Sequence, residues 1–217
     1  MDLEKLYRHR FDAAELPRKL EIWKVLCEDF FSQFVDERDV VIDVGAGYCE
    51  FINNIRCARK IAIDLNPHIR EFAAPGVEIR HESSTNLASI TDESADVVFM
   101  SNFLEHLPSK QVVLDTLAEA RRVLRKGGRL MILQPNVRLL PGAYWDFFDH
   151  HTPLTEKSLV EALTLLDMQL IRVIGRFLPY TTKSLLPQSP VLVRLYLRFP
   201  PAWWLFGKQS FVIAQRT

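Results

Sequence analysis

The stretch VIDVGAGYCEF, residues 41–51, contains the clearest structural signal in the chain. It opens with an apolar run of β-branched residues, which predicts a strand of a parallel sheet buried on both faces. Gly45 and Gly47 mark a tight turn, and residues 48–56 can form a helix. A strand, a glycine turn and a helix in succession are typical of open α/β sheets, which bind ligands beyond the carboxyl ends of their strands. We therefore expect a ligand site at this glycine turn, residues 45–47.

Strand-like and helix-like segments alternate on both sides of the turn, which favours a parallel α/β sheet. Residues 15–34 have helical apolar spacing, residues 109–125 form a helix that stops at Gly127-Gly128, and Thr155 begins another. The other predicted strands are residues 60–64, 77–80, 95–100, 129–133, 169–177 and 210–215. The 217 residues suit one domain, 1–217, with an N-terminal helical cap at 1–35 and an insertion or lid, lacking a regular pattern, at 183–207.

Composition excludes several functional classes. The chain has 27 Lys and Arg against 27 Asp and Glu, so its formal charge of zero disfavours non-specific binding of nucleic acid. Its three cysteines form no CxxC pair, which argues against a structural zinc site and a disulfide framework. The N-terminal residues do not resemble a signal peptide, and we expect a cytoplasmic protein.

The zero net charge conceals an asymmetry between the two ends of the chain. Asp167 is the last acidic residue, and seven Lys and Arg residues follow it. The last fifty residues therefore carry +7 and the first 167 carry −7.

The residues around the glycine turn limit the ligand. Glu50 stands where a dinucleotide fingerprint needs a small residue, and it would repel a pyrophosphate at the helix N-terminus. A nucleoside ligand that is cationic and lacks phosphate fits better, and S-adenosylmethionine (SAM) meets both conditions. Asp64 ends the second predicted strand, where its carboxylate can accept hydrogen bonds from both ribose hydroxyls. A helix cap before Asn66 is the alternative role for Asp64.

Four segments in order resemble the motifs of class I SAM-dependent methyltransferases, especially the small-molecule group of type 11. They are VIDVGAGYCEF, IAIDLNP, ADVVFMSNFLEHLP and ARRVLRKGGRLMILQPN. The resemblance is close over residues 40–136 and looser over DHHTPLTEKSL and GKQSFVIA. It implies a Rossmann-like, mostly parallel seven-stranded sheet of order 3-2-1-4-5-7-6, with the last strand antiparallel and helices on both faces.

The resemblance also implies which residues contact the cofactor. The methionine part would lie on the glycine turn and beside the residues after the fourth strand, the ribose on Asp64 and the adenine on Leu65. Two departures from the family pattern are Cys49, in place of a third glycine, and the Glu82-Ser83-Ser84 run, where Ser83 or Ser84 would accept from the adenine amino group. The implied cofactor residues are Asp43, Gly45, Ala46, Gly47, Asp64, Leu65, Ser83, Ser84, Asn102, Phe103 and, pairing with the SAM carboxylate, Arg10 or Arg8, for which a solvated basic face is the alternative.

Methyl transfer from a sulfonium requires alignment of the reactants and no metal, and it leaves S-adenosylhomocysteine (SAH) as product. A hydroxyl acceptor must also lose its proton, for which histidine is suited. His106 follows the fourth strand and Asp149-His150-His151 follow the fifth, so both groups should lie at the ligand edge. They are the catalytic candidates; structural roles after strand four and before the Thr155 helix are the alternatives. The aromatic residues of 144–148 could wall an acceptor pocket or simply pack.

These observations favour a methyltransferase acting on a hydroxyl of a sugar, glycolipid or natural product. Two alternatives stay open. The +7 C-terminal part leaves room for methylation of RNA, especially tRNA, and a catalytically silent SAM-binding subunit is the other alternative.

The segment 183–207 is apolar and carries only basic charges. Trp and Tyr beside Lys and Arg suit an interface with anionic lipid, which would place the protein peripherally at the membrane. The favoured interpretation is a lid over the pocket for an apolar or lipid-linked acceptor, and a homodimer interface is a further alternative.

Overall fold

The computed structural model describes residues 16–180 and 189–217, and it contains one seven-stranded sheet of order β3-β2-β1-β4-β5-β7-β6. The first five strands in this order pair in parallel, and β7 is antiparallel to both of its neighbours. The implied fold and strand order are confirmed. The strands are β1 (Val40–Val44), β2 (Arg59–Ile63), β3 (Val77–Arg80), β4 (Ala95–Ser101), β5 (Leu124–Pro135), β6 (Met168–Ile174) and β7 (Gln209–Arg216).

Helices cover both faces of the sheet. The helices are α1 (Leu16–Asp29), α2 (Glu50–Asn54), α3 (Lys110–Val123), α4 (Glu156–Leu165), α5 (Pro190–Arg198) and α6 (Pro200–Phe206). Helices α1, α2, α5 and α6 share one hydrophobic cluster with the sheet, while α3 and α4 share the other. Along β4, Val97 and Phe99 join the first cluster and Val98 and Met100 the second. Burial of both faces explains why the strand sequences show no polar alternation.

Local signals fix several helix starts. The Ser109 hydroxyl accepts the Val112 N–H and begins α3, and Thr155 begins α4 with a reciprocal capping box to Ser158. Helix α1 ends at Asp29, before a separate 3₁₀ turn. The predicted helix over residues 15–34 was therefore too long.

The prediction that Gly127-Gly128 ends α3 was wrong. The helix ends at Val123, and β5 begins at Leu124 and pairs with Ala95. The pairing with β4 shifts in register before Arg129, and Gly127 has a φ of +77° within this irregular stretch. The two glycines therefore belong to a strand irregularity rather than to a helix stop.

The expectation that residues 183–207 lack regular structure was wrong for the described part, 189–207, which contains α5 and α6, while residues 183–188 lie outside the described residues. Pro190 and Pro200 each lie in the first turn of a helix, where proline is well tolerated. Helices α5 and α6 come between β6 and the antiparallel β7 in the chain, and they pack with α1 on one face of the sheet. Within the described ranges, no helix has the length and apolarity needed to cross a membrane.

Candidate active site at the carboxyl edge of the sheet

The glycine turn is held against the end of β2 by its backbone. The N–H groups of Gly45 and Ala46 both donate to the Ile63 carbonyl, at 2.9 and 3.2 Å. Gly45 has a φ of +70°, and a Cβ there would lie 2.3 Å from Cδ2 of Phe103. Gly47 has a φ of +52°, but no atom lies within 4 Å of the place its Cβ would take. The turn is closed on the Phe103 side and open at Gly47.

Asp64 ties this turn to the loop after β2. Its Oδ2 accepts the Gly47 N–H and its Oδ1 accepts the Asn66 N–H, both at 2.8 Å. The residue that caps the following 3₁₀ turn is Asn66, whose side chain accepts the His68 N–H. A carboxylate has about four acceptor positions, so Asp64 keeps capacity for further donors such as ribose hydroxyls.

A pocket opens beside the turn and brings together residues from α1, β1, α2 and β4. Six of the predicted site residues line it: Asp43, Gly45, Ala46, Gly47, Asn102 and His106. Sequence reasoning missed the others, among them Lys19 and Trp23 from α1. The remaining lining residues are Tyr48, Glu50, Phe51, Phe99 and Ser101.

The pocket floor is acidic. Burial, and then the charge of Glu50, raise the pKa of Asp43 well above its usual value, although the Ile52 N–H at the start of α2 acts in the opposite direction. Glu50 in turn pairs with Lys19, whose Nζ lies 2.5 Å from Oε1. The Lys19 ammonium therefore pairs with the Glu50 carboxylate. Asp43 and Asp64 are the two acidic side chains beside the turn that Lys19 does not pair with in this way.

The residues predicted to contact the adenine differ in their exposure and in their hydrogen bonds. Leu65 is 61% exposed at the end of β2. The Ser83 hydroxyl bonds to the Thr85 hydroxyl at 2.9 Å, and the buried Ser84 hydroxyl bonds to Thr116 of α3, also at 2.9 Å. Ser84 thus connects the loop after β3 to a helix. Arg10, predicted for the SAM carboxylate, lies outside the described residues, as does Arg8.

Cys49 and Asn102 adopt left-handed backbone conformations. Cys49 has a φ of +59° just before α2, and burial raises the pKa of its thiol. Asn102 has a φ of +46°, and its N–H donates to the Leu133 carbonyl at the end of β5. Such strain costs about 1–2 kcal/mol for a residue with a Cβ, and it clusters at functional sites.

A histidine cluster, consisting of Glu105, His106, Asp149 and His150, lies beside the pocket. The 3₁₀ turn Leu104–His106 follows β4, and the loop after β5 brings Asp149 and His150 to it. The His106 Nδ1 lies 3.0 Å from Asp149 Oδ2 and 3.2 Å from the Asp149 carbonyl. The rings of His106 and His150 meet edge to face, with centroids 5.0 Å apart.

The protonation of His106 reflects opposing influences. Burial disfavours the imidazolium, but the Asp149 hydrogen bond and the charge of Glu105 outweigh burial and raise the pKa of His106. Glu105 is buried, and its carbonyl accepts the N–H groups of His151 and Thr152. Sequence reasoning missed Glu105, although it stands in the quoted EHLP motif.

The other residues of this loop separate into buried and exposed groups. Tyr144 is buried, and its hydroxyl donates to the Thr152 carbonyl. Phe147 stacks on the His150 ring, with centroids 4.9 Å apart. His151 is exposed, and Phe148 is 86% exposed. The Tyr144 ring also contacts His150, with centroids 4.7 Å apart, so Tyr144 and Phe147 both pack on the histidine cluster.

One family model and several solved structures are similar to this chain. Residues 42–132 match the family model described as a methyltransferase domain. None of the curated proteins matches the chain significantly.

Solved structures share the fold at low sequence identity. A SAM-dependent methyltransferase from Archaeoglobus fulgidus has a TM-score of 0.67 and 18% identity, over 94% of this chain and 100% of that one. A chain of the complex containing the Haloferax volcanii Trm112 methyltransferase activator has a TM-score of 0.65 and 16% identity, over 93% and 91%. Geranyl diphosphate C-methyltransferase from Streptomyces coelicolor has a TM-score of 0.61 and 13% identity, over 86% and 76%. At these identities the likeness concerns the fold.

Proposed function

We propose that this chain, whose residues 42–132 match the family model of a methyltransferase domain, is a SAM-dependent methyltransferase that methylates a hydroxyl group of a small molecule. The acceptors we favour are a sugar, a glycolipid or a natural product. The observation that carries the choice of a hydroxyl is the histidine cluster, which lies beside the pocket formed by the glycine turn.

The residues around the turn fit SAM. The open space at Gly47 leaves room for a ligand to approach the backbone, and Asp64 keeps acceptor capacity for the ribose. The acids Asp43 and Asp64 suit a cation better than a pyrophosphate. When bound, SAM supplies a methyl group already activated on a sulfonium, so this chain's residues have to align the acceptor and exclude water.

The histidine cluster supplies what a hydroxyl acceptor needs in addition. His106 lines the pocket together with Asn102, and Asp149 fixes the orientation of its ring through Nδ1. An acceptor hydroxyl held beside Asn102 would lose its proton at this cluster. An amine acceptor that is already neutral needs no such group.

The experiment is incubation of the full chain with methyl-labelled SAM and a panel of sugars, lipid-linked sugars, phenols, amines and tRNA, followed by mass spectrometry. We expect methyl ethers from a hydroxyl acceptor. Label found only in amines would overturn the choice of a hydroxyl. Label found only in tRNA would establish the RNA alternative, and SAM binding without turnover on any acceptor would indicate a silent subunit.

We further propose that the α5–α6 hairpin, residues 190–206, rests on an anionic membrane surface and brings the protein to lipid-linked acceptors from the cytoplasmic side. One side of the hairpin packs on the protein through Trp203, which is buried, and through Arg194, which pairs with Glu28 and Asp29 of α1. None of its residues lines the pocket. Its other side presents Val191, Leu192, Leu195, Phe199, Trp204, Leu205 and Phe206, all exposed.

Charge favours a lipid surface for this apolar side. The chain has no acidic residue after Asp167, and Arg198 is exposed on the hairpin. The Arg176 guanidinium lies 5.6 Å from the Trp204 ring centroid, so an aromatic and a cation stand together at the apolar edge. This combination suits the interface between headgroups and acyl chains.

A further inference from the structure

Three side chains of the histidine cluster converge closely enough to hold a metal ion. One ligand atom each from Glu105, His106 and His150 lie within 4.8 Å of one another. Glu105 and His150 are 2% and 6% exposed, so the carboxylate and one imidazole meet away from bulk water. Two imidazoles with one carboxylate are a ligand set that binds zinc, iron(II) or manganese in proteins.

The hydrogen bonds around the two imidazoles match those of metal-binding histidines. The His106 Nδ1 faces two oxygens of Asp149, and the His150 Nδ1 lies 2.8 Å from the Tyr144 carbonyl. A ring nitrogen that faces oxygen acceptors carries the proton, so Nε2 of each neutral ring keeps its lone pair. Histidine ligands are commonly oriented in this way by a carboxylate or a backbone carbonyl on the far side of the ring.

The backbone also holds the two halves of the cluster together. The Glu105 carbonyl accepts two N–H groups, from His151 at 2.9 Å and from Thr152 at 3.1 Å. The Thr152 hydroxyl donates to the Leu107 carbonyl at 2.6 Å. The loop after β5 is thus bonded to the turn after β4 on both sides of His106, which gives the three ligand groups a fixed geometry.

We propose that Glu105, His106 and His150 bind one divalent transition-metal cation, and that the acceptor hydroxyl of the proposed reaction coordinates to it. The inference rests on the proposed function for its chemical role. Three protein ligands leave coordination positions open for an oxygen, and a bound cation lowers the pKa of that oxygen's proton. The O–H bond then breaks and releases a proton to solvent, while the new C–O bond forms as the C–S bond of SAM breaks. The products are the methyl ether, SAH and one proton.

In this assignment His106 and His150 are ligands, and Asp149 is a positioning residue that acts through His106. The expectation of metal-free transfer from the sequence considered the sulfonium alone. It did not include Glu105, whose meeting with His150 depends on the fold.

The test measures metal binding separately from turnover. The full chain is stripped with a chelator and titrated with Co²⁺ and Zn²⁺, by visible absorption and by calorimetry. We expect one ion per chain and d–d bands of a four- or five-coordinate cobalt site. Glu105→Gln and His150→Gln should weaken binding at least about 100-fold, and Asp149→Asn about 10- to 100-fold, the range known for partners of ligating histidines. His68→Gln, a change at a histidine outside the site, should bind metal as the parent does.

Folding and function are checked in the same variants. SAH affinity shows whether the cofactor half is intact, and Glu105→Asp should restore metal binding if Glu105→Gln loses it. Absence of a stoichiometric ion in the parent, or full hydroxyl methylation by the stripped protein, would overturn the metal site and leave the proposed function standing. Stoichiometric metal without methylation of any hydroxyl would overturn the proposed function and leave the site.

Discussion

The glycine turn and the histidine cluster share one edge of the sheet, but they are assembled over different distances in the sequence. Gly47 and Asp64, whose hydrogen bond closes the turn, are 17 residues apart, whereas His106 and Asp149 are 43 apart. Backbone conformation builds the turn, and side chains from two loops build the cluster. We call the glycine turn the donor side, because it would hold the methyl donor, and the histidine cluster the acceptor side. The donor side should be sensitive to an added Cβ, and the acceptor side to the loss of a ring or a carboxylate.

The largest effect is expected from Gly45→Ala. The new Cβ would meet the Phe103 ring at 2.3 Å, on a backbone with a φ of +70°. Strain and overpacking together should lower the free energy of unfolding by about 2–4 kcal/mol and abolish measurable SAM binding. Urea denaturation and calorimetry measure the two effects.

Gly142→Ala is the matched control, because no atom lies within 4 Å of its added Cβ and its φ is −100°. Its stability should change by no more than about 1 kcal/mol. Equal losses of stability in the two variants would show that close packing of Gly45 against Phe103 does not determine the conformation of the glycine turn.

Next in size is His106→Ala, which tests whether the two sides act independently. Turnover on a hydroxyl acceptor should fall about 100-fold or more, with SAM affinity unchanged within about 2-fold, because the ring lies on the acceptor side. The measurement is kcat together with a SAM titration. A parallel loss of SAM affinity would show that the glycine turn and the histidine cluster depend on each other.

Asp64→Ala tests whether a side chain beside the glycine turn contributes to cofactor binding. With the proposed ribose role, loss of the Asp64 carboxylate should weaken SAM and SAH binding about 10- to 150-fold, or roughly 1.5–3 kcal/mol. Calorimetry checks this value, with Asp115→Ala, an exposed acid of α3, as control. Unchanged affinity in Asp64→Ala would show that Asp64 does not bind the ribose and only accepts the Gly47 and Asn66 N–H groups.

The smallest effect concerns the α5–α6 hairpin, which stands apart from both sides of the pocket. Trp204→Ala should reduce binding to anionic vesicles about 5- to 30-fold, since burial of one largely exposed indole contributes about 1–2 kcal/mol. Flotation with anionic and neutral vesicles at low and high salt is the measurement, and Trp145→Ala, an exposed indole outside the hairpin, is the control.

The parent should float only with anionic vesicles and lose binding in high salt. Failure to float with either vesicle would remove the membrane proposal. A dimer in solution that the same variant dissociates would replace it with a subunit interface.

Sequence predicted the positions of most strands well, because each strand depends on a short-range pattern, while the cofactor roles of the glycine turn and Asp64 stay predictions. The run before Gly45 and the acid at position 64 are each visible in a few consecutive residues. Lys19 and Trp23 could not be assigned to the pocket, since their place depends on how α1 crosses the sheet edge. Glu105 was quoted within its motif, but nothing local reveals that it meets His150.

Two of the errors in secondary structure share a physical cause. Gly127-Gly128 were interpreted as a helix stop and residues 183–207 as irregular, yet Gly127 permits an irregular strand and Pro190 and Pro200 begin helices. Gly and Pro restrict the backbone in ways that both an element and its boundary can use. Pairing with β4 and packing against α1 decided between these uses.

Because the pKa of Asp43 is raised in the free protein, its carboxyl group should change its charge when SAM binds. A sulfonium beside Asp43 favours the ionised carboxylate, so binding of SAM should expel a proton, whereas the neutral sulfide of SAH should not. The affinity for SAM relative to SAH should therefore rise with pH through the range in which Asp43 titrates in the free protein. Calorimetry in buffers of different ionisation enthalpy would detect the proton, and equal release with both ligands would contradict it. Methyl transfer itself would then remove the positive charge from the pocket, and Asp43 would take up a proton again after its sulfonium partner is gone.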